Sequence, residues 1–155
     1  MYRLACDLTD SSEDAEDLTQ EVFLAAYEKW DAFRGESELY PWLYRITMNT
    51  YLDQQDRSRT WPENLWDYLT GSDQEIQDTG RPLPDENAER STVEREVERA
   101  LRGLTPRERA AFVLRVRQEC TAPQAAEVMD VAEGTVKSLT HRAIRKLRKT
   151  LSSMH

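Results

Sequence analysis

Lys137, His141, Arg145 and Arg148 recur at three- and four-residue intervals near the end of the chain. On a helix that spacing places all four on one side. From Gly134 to His155 there are six lysines and arginines and no acid. Such a face can neutralise phosphates, and an arginine can also pair bidentately with guanine. The competing reading is a basic helix that meets only water. Ser138 and Arg142 flank the same side. A helix starting at Glu133-Gly134-Thr135 would add backbone N–H donors for an anion.

The opposite charge gathers at the other end. Residues 1–60 hold 13 acids and 6 bases, residues 61–92 hold 8 and 2, and residues 93–155 hold 8 acids against 13 bases. The net charge of −8 therefore hides a basic tail behind an acidic front. A chain divided in this way suits a polyanion at one end.

Other chemistry is poorly provided for. There is no nucleophile–base pair, no chelating set of carboxylates and no glycine-rich phosphate loop, and His141 and His155 stand apart. Cys6 and Cys120 lack metal-ligand spacing, so neither a disulfide framework nor a zinc site is expected. The expectation is no catalytic residue, no metal and no cofactor. Charged residues make up 32% of the 155 and no apolar run nears the roughly 20 that a membrane span needs. Met1 to Asp10 shows no secretory pattern. A cytoplasmic chain is expected.

The elements that must position these charges read as helices. Tyr2, Leu4, Ala5 and Leu8 give a short apolar face. Ser11, with Asp14 three positions on, caps a second helix that runs to about Trp30, its core face being Ala15, Leu18, Val22, Ala26 and Trp30. Glu13, Asp17, Glu21 and Glu28 line its other side. Pro41 opens a third helix with Trp42, Leu43, Ile46 and Thr50 inward and Arg45, Asn49 and Asp53 on one surface stripe.

Residues 61–92 hold eight acids, Pro62, Gly71, Gly80, Pro82 and Pro84, and read as a flexible acidic linker around an apolar island, Trp61 to Leu69. Beyond it come three capping pairs: Ser91 with Glu94, Thr105 with Glu108 behind Pro106, and Thr121 with Gln124. The helix after Thr105 should reach about Glu119, with Ala110, Val113, Leu114 and Arg117 along one side. Asp130 suits the left-handed residue of a tight turn. The last helix has Val136, Thr140, Ala143, Leu147 and Leu151 inward. The fold class is all-α, and residues 121–151 have the proportions of a helix-turn-helix.

Leu104-Thr-Pro-Arg-Glu-Arg-Ala, Ala126-Glu-Val-Met-Asp-Val, Gly134-Thr-Val-Lys-Ser and His141-Arg-Ala resemble region 4 of bacterial sigma factors. The same stretch is similar to the output domain of LuxR-type regulators, which bind duplex DNA without melting it. The first half separates the two. Asp14-Ala-Glu-Asp-Leu-Thr-Gln-Glu-Val-Phe-Leu-Ala-Ala-Tyr, Phe33-Arg-Gly-Glu-Ser and Trp42-Leu-Tyr-Arg-Ile-Thr-Met-Asn resemble region 2 of an extracytoplasmic-function (ECF) sigma factor, group 4 of the sigma-70 family.

The resemblance implies a transcription initiation factor with region 2 at 1–60, a linker at 61–92 and region 4 at 93–155. It implies docking on the clamp helices of the largest RNA polymerase subunit by Asp14, Asp17, Leu18, Gln20, Glu21, Phe23 and Leu24, and a further contact with the polymerase flap. It assigns opening of the −10 promoter DNA to Leu39, Tyr40, Tyr44, Arg45 and Asn49, with Trp42 and Leu43 buried. It assigns reading of the −35 element to Thr135, Lys137, Ser138, His141, Arg142 and Arg145. An anti-sigma factor is a further implied partner. The linker acids Asp67, Asp73, Glu75, Asp78, Asp85 and Glu86 either thread toward the polymerase channels or serve as a plain tether. The family pattern has more helix before Tyr2. Two departures bear on base preference: Ser138-Leu139-Thr140 stands for the usual Ser-Arg-Leu, and Ala122-Pro123-Gln124 for aromatic-Glu-Glu.

Overall fold

The computed structural model describes residues 1–33, 35, 38–58 and 92–153. Among them every regular element is a helix: α1 (Tyr2–Leu8), α2 (Ser12–Glu28), a 3-10 turn (Trp30–Ala32), α3 (Leu39–Ser58), α4 (Thr92–Arg102), α5 (Pro106–Phe112) running into a π-helical turn (Val113–Arg117), α6 (Ala122–Met129) and α7 (Glu133–Ser153). The linker, its apolar island and the cap at Ser91 lie outside the described residues.

Local chemistry accounts for the boundaries. The Ser11 hydroxyl accepts from Asp14 N–H at 3.1 Å and starts α2. Thr105 and Glu108 close a capping box at α5, and Thr121 and Gln124 close another at α6. Each such cap contributes about 1 kcal/mol. Asp130 ends α6 at φ 54° and ψ 48°, the left-handed turn residue the sequence called for. Its short side chain makes that conformation tolerable.

One apolar cluster runs through both halves of the chain. Leu4, Leu8, Leu18, Val22, Ile46 and Met48 from α1–α3 join Val113, Leu114, Ala125, Met129 and Val136 from the second half. A second cluster, Ala100, Leu104, Ala143 and Leu147, fastens α4 onto α7.

The periodicity misplaces several residues. Helix α2 stops at Glu28, and Trp30 is 55% exposed rather than in the core. The chain there tightens into the 3-10 turn, which swings the Trp30 ring against Phe33 and Trp42, at centroid distances of 5.7 and 6.2 Å. Trp42 and Leu43, expected in the interior, are half-buried and pack against the margin of the core cluster. Thr50 is half-buried and turns its hydroxyl to the Ile46 carbonyl at 2.8 Å. Arg117 does not share a side with Val113 and Leu114: the π turn inserts an extra residue per turn and leaves Arg117 exposed. In α7 the buried position is Leu139, while Thr140 is half-buried with its hydroxyl on the Val136 carbonyl at 2.8 Å. The departure from Ser-Arg-Leu thus leaves no polar group unsatisfied in the core.

Candidate nucleic-acid interface

Helix α7 is anchored by its inner side and by one ion pair. Glu108, 3% exposed, accepts from Lys146 Nζ at 3.0 Å while also holding the Thr105 N–H at 3.0 Å. Lys146 is thereby committed to the fold. The outer side is free to meet a ligand. Thr135, Lys137, Ser138, His141 and Arg145 are exposed, and Arg142 is half-buried beside them. Lys137 reaches back to Glu133 at 2.8 Å, one turn away. Such an exposed pair is weak, so a phosphate can displace the carboxylate. The six expected −35 residues therefore form one cationic, hydrogen-bonding surface at the start of a long helix.

Helix α2 divides its expected polymerase contacts. Asp14, Asp17, Gln20 and Glu21 are exposed, as are Phe23 at 54% and Leu24 at 65%. Leu18 is fully buried. It belongs to the core stripe and has no surface to offer a partner.

The expected −10 residues lie along α3. Leu39 and Tyr40 are exposed at 41% and 68%, and Asn49 is exposed. Gly35, in the preceding loop, takes φ +69°, a conformation costly for a residue with a Cβ. Tyr44 and Arg45 are engaged elsewhere. The Tyr44 hydroxyl donates to Gln118 Oε1 at 2.9 Å. Burial, with smaller effects from Cys120 and Tyr40, raises its pKa. Arg45 donates to the Glu127 carbonyl at 3.1 Å and lies 3.7 Å from its carboxylate.

A contact that spacing did not reveal lies between the two halves. Arg109, 7% exposed, donates to Asp7 O at 3.1 Å, Thr9 O at 2.7 Å and Asp10 Oδ1 at 2.6 Å. Helix α1 has no basic residue in its own last turn, so Arg109 supplies the cation and donors that its C-terminal carbonyls need. Arg117 adds a bond to Asp7 Oδ1 at 2.8 Å, and Gln118 reaches Asp7 Oδ2 at 3.3 Å. The π turn that defeats the period aims Arg117 and Gln118 this way.

Comparison with known proteins identifies the family. Sigma-70 region 2 matches residues 1–60, and Sigma-70 region 4 matches residues 94–147. An ECF RNA polymerase sigma-E factor of Haemophilus influenzae is 36% identical over 141 residues, covering 86% of this chain and 72% of that protein. The chain belongs to the ECF RNA polymerase sigma factors.

As a member of that family it is a transcription initiation factor. The region 2 match disfavours a LuxR-type regulator. Another relative, the ECF sigma factor SigM of Mycobacterium tuberculosis, is 32% identical over 155 residues, covering 100% of this chain and 73% of the relative. Among solved structures, the sigma factor RpoE in complex with the anti-sigma factor NepR from Bartonella quintana aligns with a TM-score of 0.69 and 26% identity, over 97% of this chain and 89% of that one. CnrH in complex with the cytosolic domain of CnrY shares the fold, with a TM-score of 0.65 and 22% identity over 98% of this chain and 80% of that one. No described helix of this sigma factor is long and apolar enough to cross a membrane.

Proposed function

We propose that this chain binds core RNA polymerase, directs it to particular promoters and helps melt the −10 DNA. Residues 1–60 form region 2 and 93–155 region 4, joined by 61–92. Asp14, Asp17, Gln20, Glu21, Phe23 and Leu24 meet the basic clamp helices. Opposite charges steer that encounter, and the two apolar side chains add burial at its centre. Leu39, Tyr40, Tyr44, Arg45 and Asn49 stack on and hydrogen-bond the opened strand. Each flipped base costs a few kcal/mol, which such contacts offset. Thr135, Lys137, Ser138, His141, Arg142 and Arg145 read the −35 duplex in the major groove. The reading is of a binding protein in the cytoplasm, not an enzyme, with region 4 also on the flap and an anti-sigma factor as a further partner.

The observation that carries this reading is one chain with both sigma regions in order, acidic on exposed α2 and basic on exposed α7. Affinity for core polymerase tests it. Replacing Asp17→Lys together with Glu21→Lys should weaken binding at least about tenfold while leaving the circular dichroism unchanged. Undiminished binding by the doubly reversed chain contradicts the docking assignment.

A further inference from the structure

Three aromatic rings meet where α2 gives way to α3. Between centroids, Trp30 lies 5.7 Å from Phe33 and 6.2 Å from Trp42, and Phe33 lies 4.9 Å from Trp42. Tilted and edge-on arrangements of this kind are the ones that ring quadrupoles favour. Trp30 is 55% exposed, so burial alone does not account for its place. The 3-10 turn that carries it is fixed to α2 by backbone bonds. Lys29 N–H donates to Ala25 O at 3.1 Å, Ala32 N–H to Lys29 O at 3.0 Å and Phe33 N–H to Trp30 O at 3.0 Å. Trp42 in turn packs against the core cluster. The rings therefore join the end of the acidic helix to the first turn of α3.

That turn needs an anchor. Pro41 crowds the backbone of the residue before it and disfavours helix there, yet α3 already includes Leu39 and Tyr40. Both side chains are exposed. Upstream, Gly35 at φ +69° has nothing within 4 Å of where a Cβ would stand, so packing at that point does not hold the chain. We propose that Trp30 is a positioning residue: with Phe33 and Trp42 it forms an aromatic splint that ties α2 to the first turn of α3 and holds Leu39 and Tyr40 ready for the opened −10 strand. This role rests on the function proposed above and adds a residue to it. A stacking side chain already held in its binding orientation loses less entropy when it captures a flipped base. Where that orientation is only fractionally populated, apparent affinity for the opened strand falls by the same fraction. Trp30 touches no DNA and acts through Trp42.

Two measurements on the full chain test the splint. The first places a nitroxide at Tyr40→Cys, with Cys6 and Cys120 replaced by serine, and reads its mobility in the free chain. Trp30→Ala should add a fast-moving component, and Trp30→Phe, which keeps a ring, should restore the parent spectrum. The second uses unlabelled chains, bacterial core polymerase and a promoter fragment recovered by mapping start sites on genomic DNA, with permanganate reactivity of −10 thymines as the readout. Trp30→Ala should lower opening of the duplex about tenfold, the bias expected of two ring contacts, and Trp30→Phe should stay within about twofold of the parent. On the same fragment with its −10 block mismatched beforehand, Trp30→Ala should lose transcription less than about threefold, because the strand is already open. Unchanged mobility in Trp30→Ala, or equal losses on duplex and mismatched DNA, overturns the positioning role. So does a parallel fall in affinity for core polymerase, which would make Trp30 a polymerase contact. If the parent chain opens no promoter, the functional reading fails and the positioning role with it. The nitroxide spectra of the free chain separate that outcome from a failure of the splint itself.

Discussion

Glu119 sits at φ 55°, just after the π turn, with its side chain exposed. The left-handed region costs an L-residue roughly 1–2 kcal/mol, and glycine avoids that cost while losing some of it back as chain entropy. Glu119→Gly should therefore stabilise the protein by about 0.5–1 kcal/mol, read as a higher urea midpoint. An unchanged or lower midpoint would show that the turn relaxes around Glu119. The residue is strained because the backbone must reverse here: Cys120 N–H returns to Leu114 O at 2.9 Å and the Arg115 guanidinium caps the Cys120 carbonyl. The same turn places Gln118 against Tyr44. Local strain and the contact between the halves thus share one short segment.

At the scale of the element, α7 separates two kinds of cation that the sequence presents alike. Arg145 is exposed, whereas Lys146 is bound to buried Glu108. Arg145→Ala should weaken binding to −35 duplex by about 1–3 kcal/mol if it pairs with a base, or lower the salt slope by about one if it meets a phosphate. Lys146→Ala should instead cost about 1–2 kcal/mol of folding stability, by leaving a buried carboxylate with one partner fewer, and should leave the salt slope alone. Fluorescence anisotropy over a salt series, with a urea melt of each variant, tells them apart. Equal effects of both on the slope would refute the division. Much of the second half was legible. The capping boxes at Thr105 and Thr121, the turn at Asp130 and the outward basic stripe all follow from local sequence. The π turn was not, because Ala110, Val113, Leu114 and Arg117 fit an ordinary helical period, while the inserted residue turns Arg117 off that side. Leu18 lies on both the core period and the docking motif, and its burial fits the core.

At the scale of the molecule, charge and contact act together. In the proposed function the acidic front meets a basic partner and the basic tail meets DNA, while in this structure the two halves hold each other through Arg109, Arg117 and Arg45. These pairs join residues about a hundred positions apart, so no spacing rule could expose them. The charge asymmetry hints only that the halves attract. In the proposed function the chain selects start sites for the polymerase by reading two separated blocks of DNA. Transcribing fragmented bacterial genomic DNA with core polymerase, with and without the protein, and mapping the 5′ ends tests it most directly. New start sites should appear that share one sequence block about ten base pairs upstream and another about thirty-five. An identical set of starts in both reactions, or new starts without a shared pair of blocks, would contradict it.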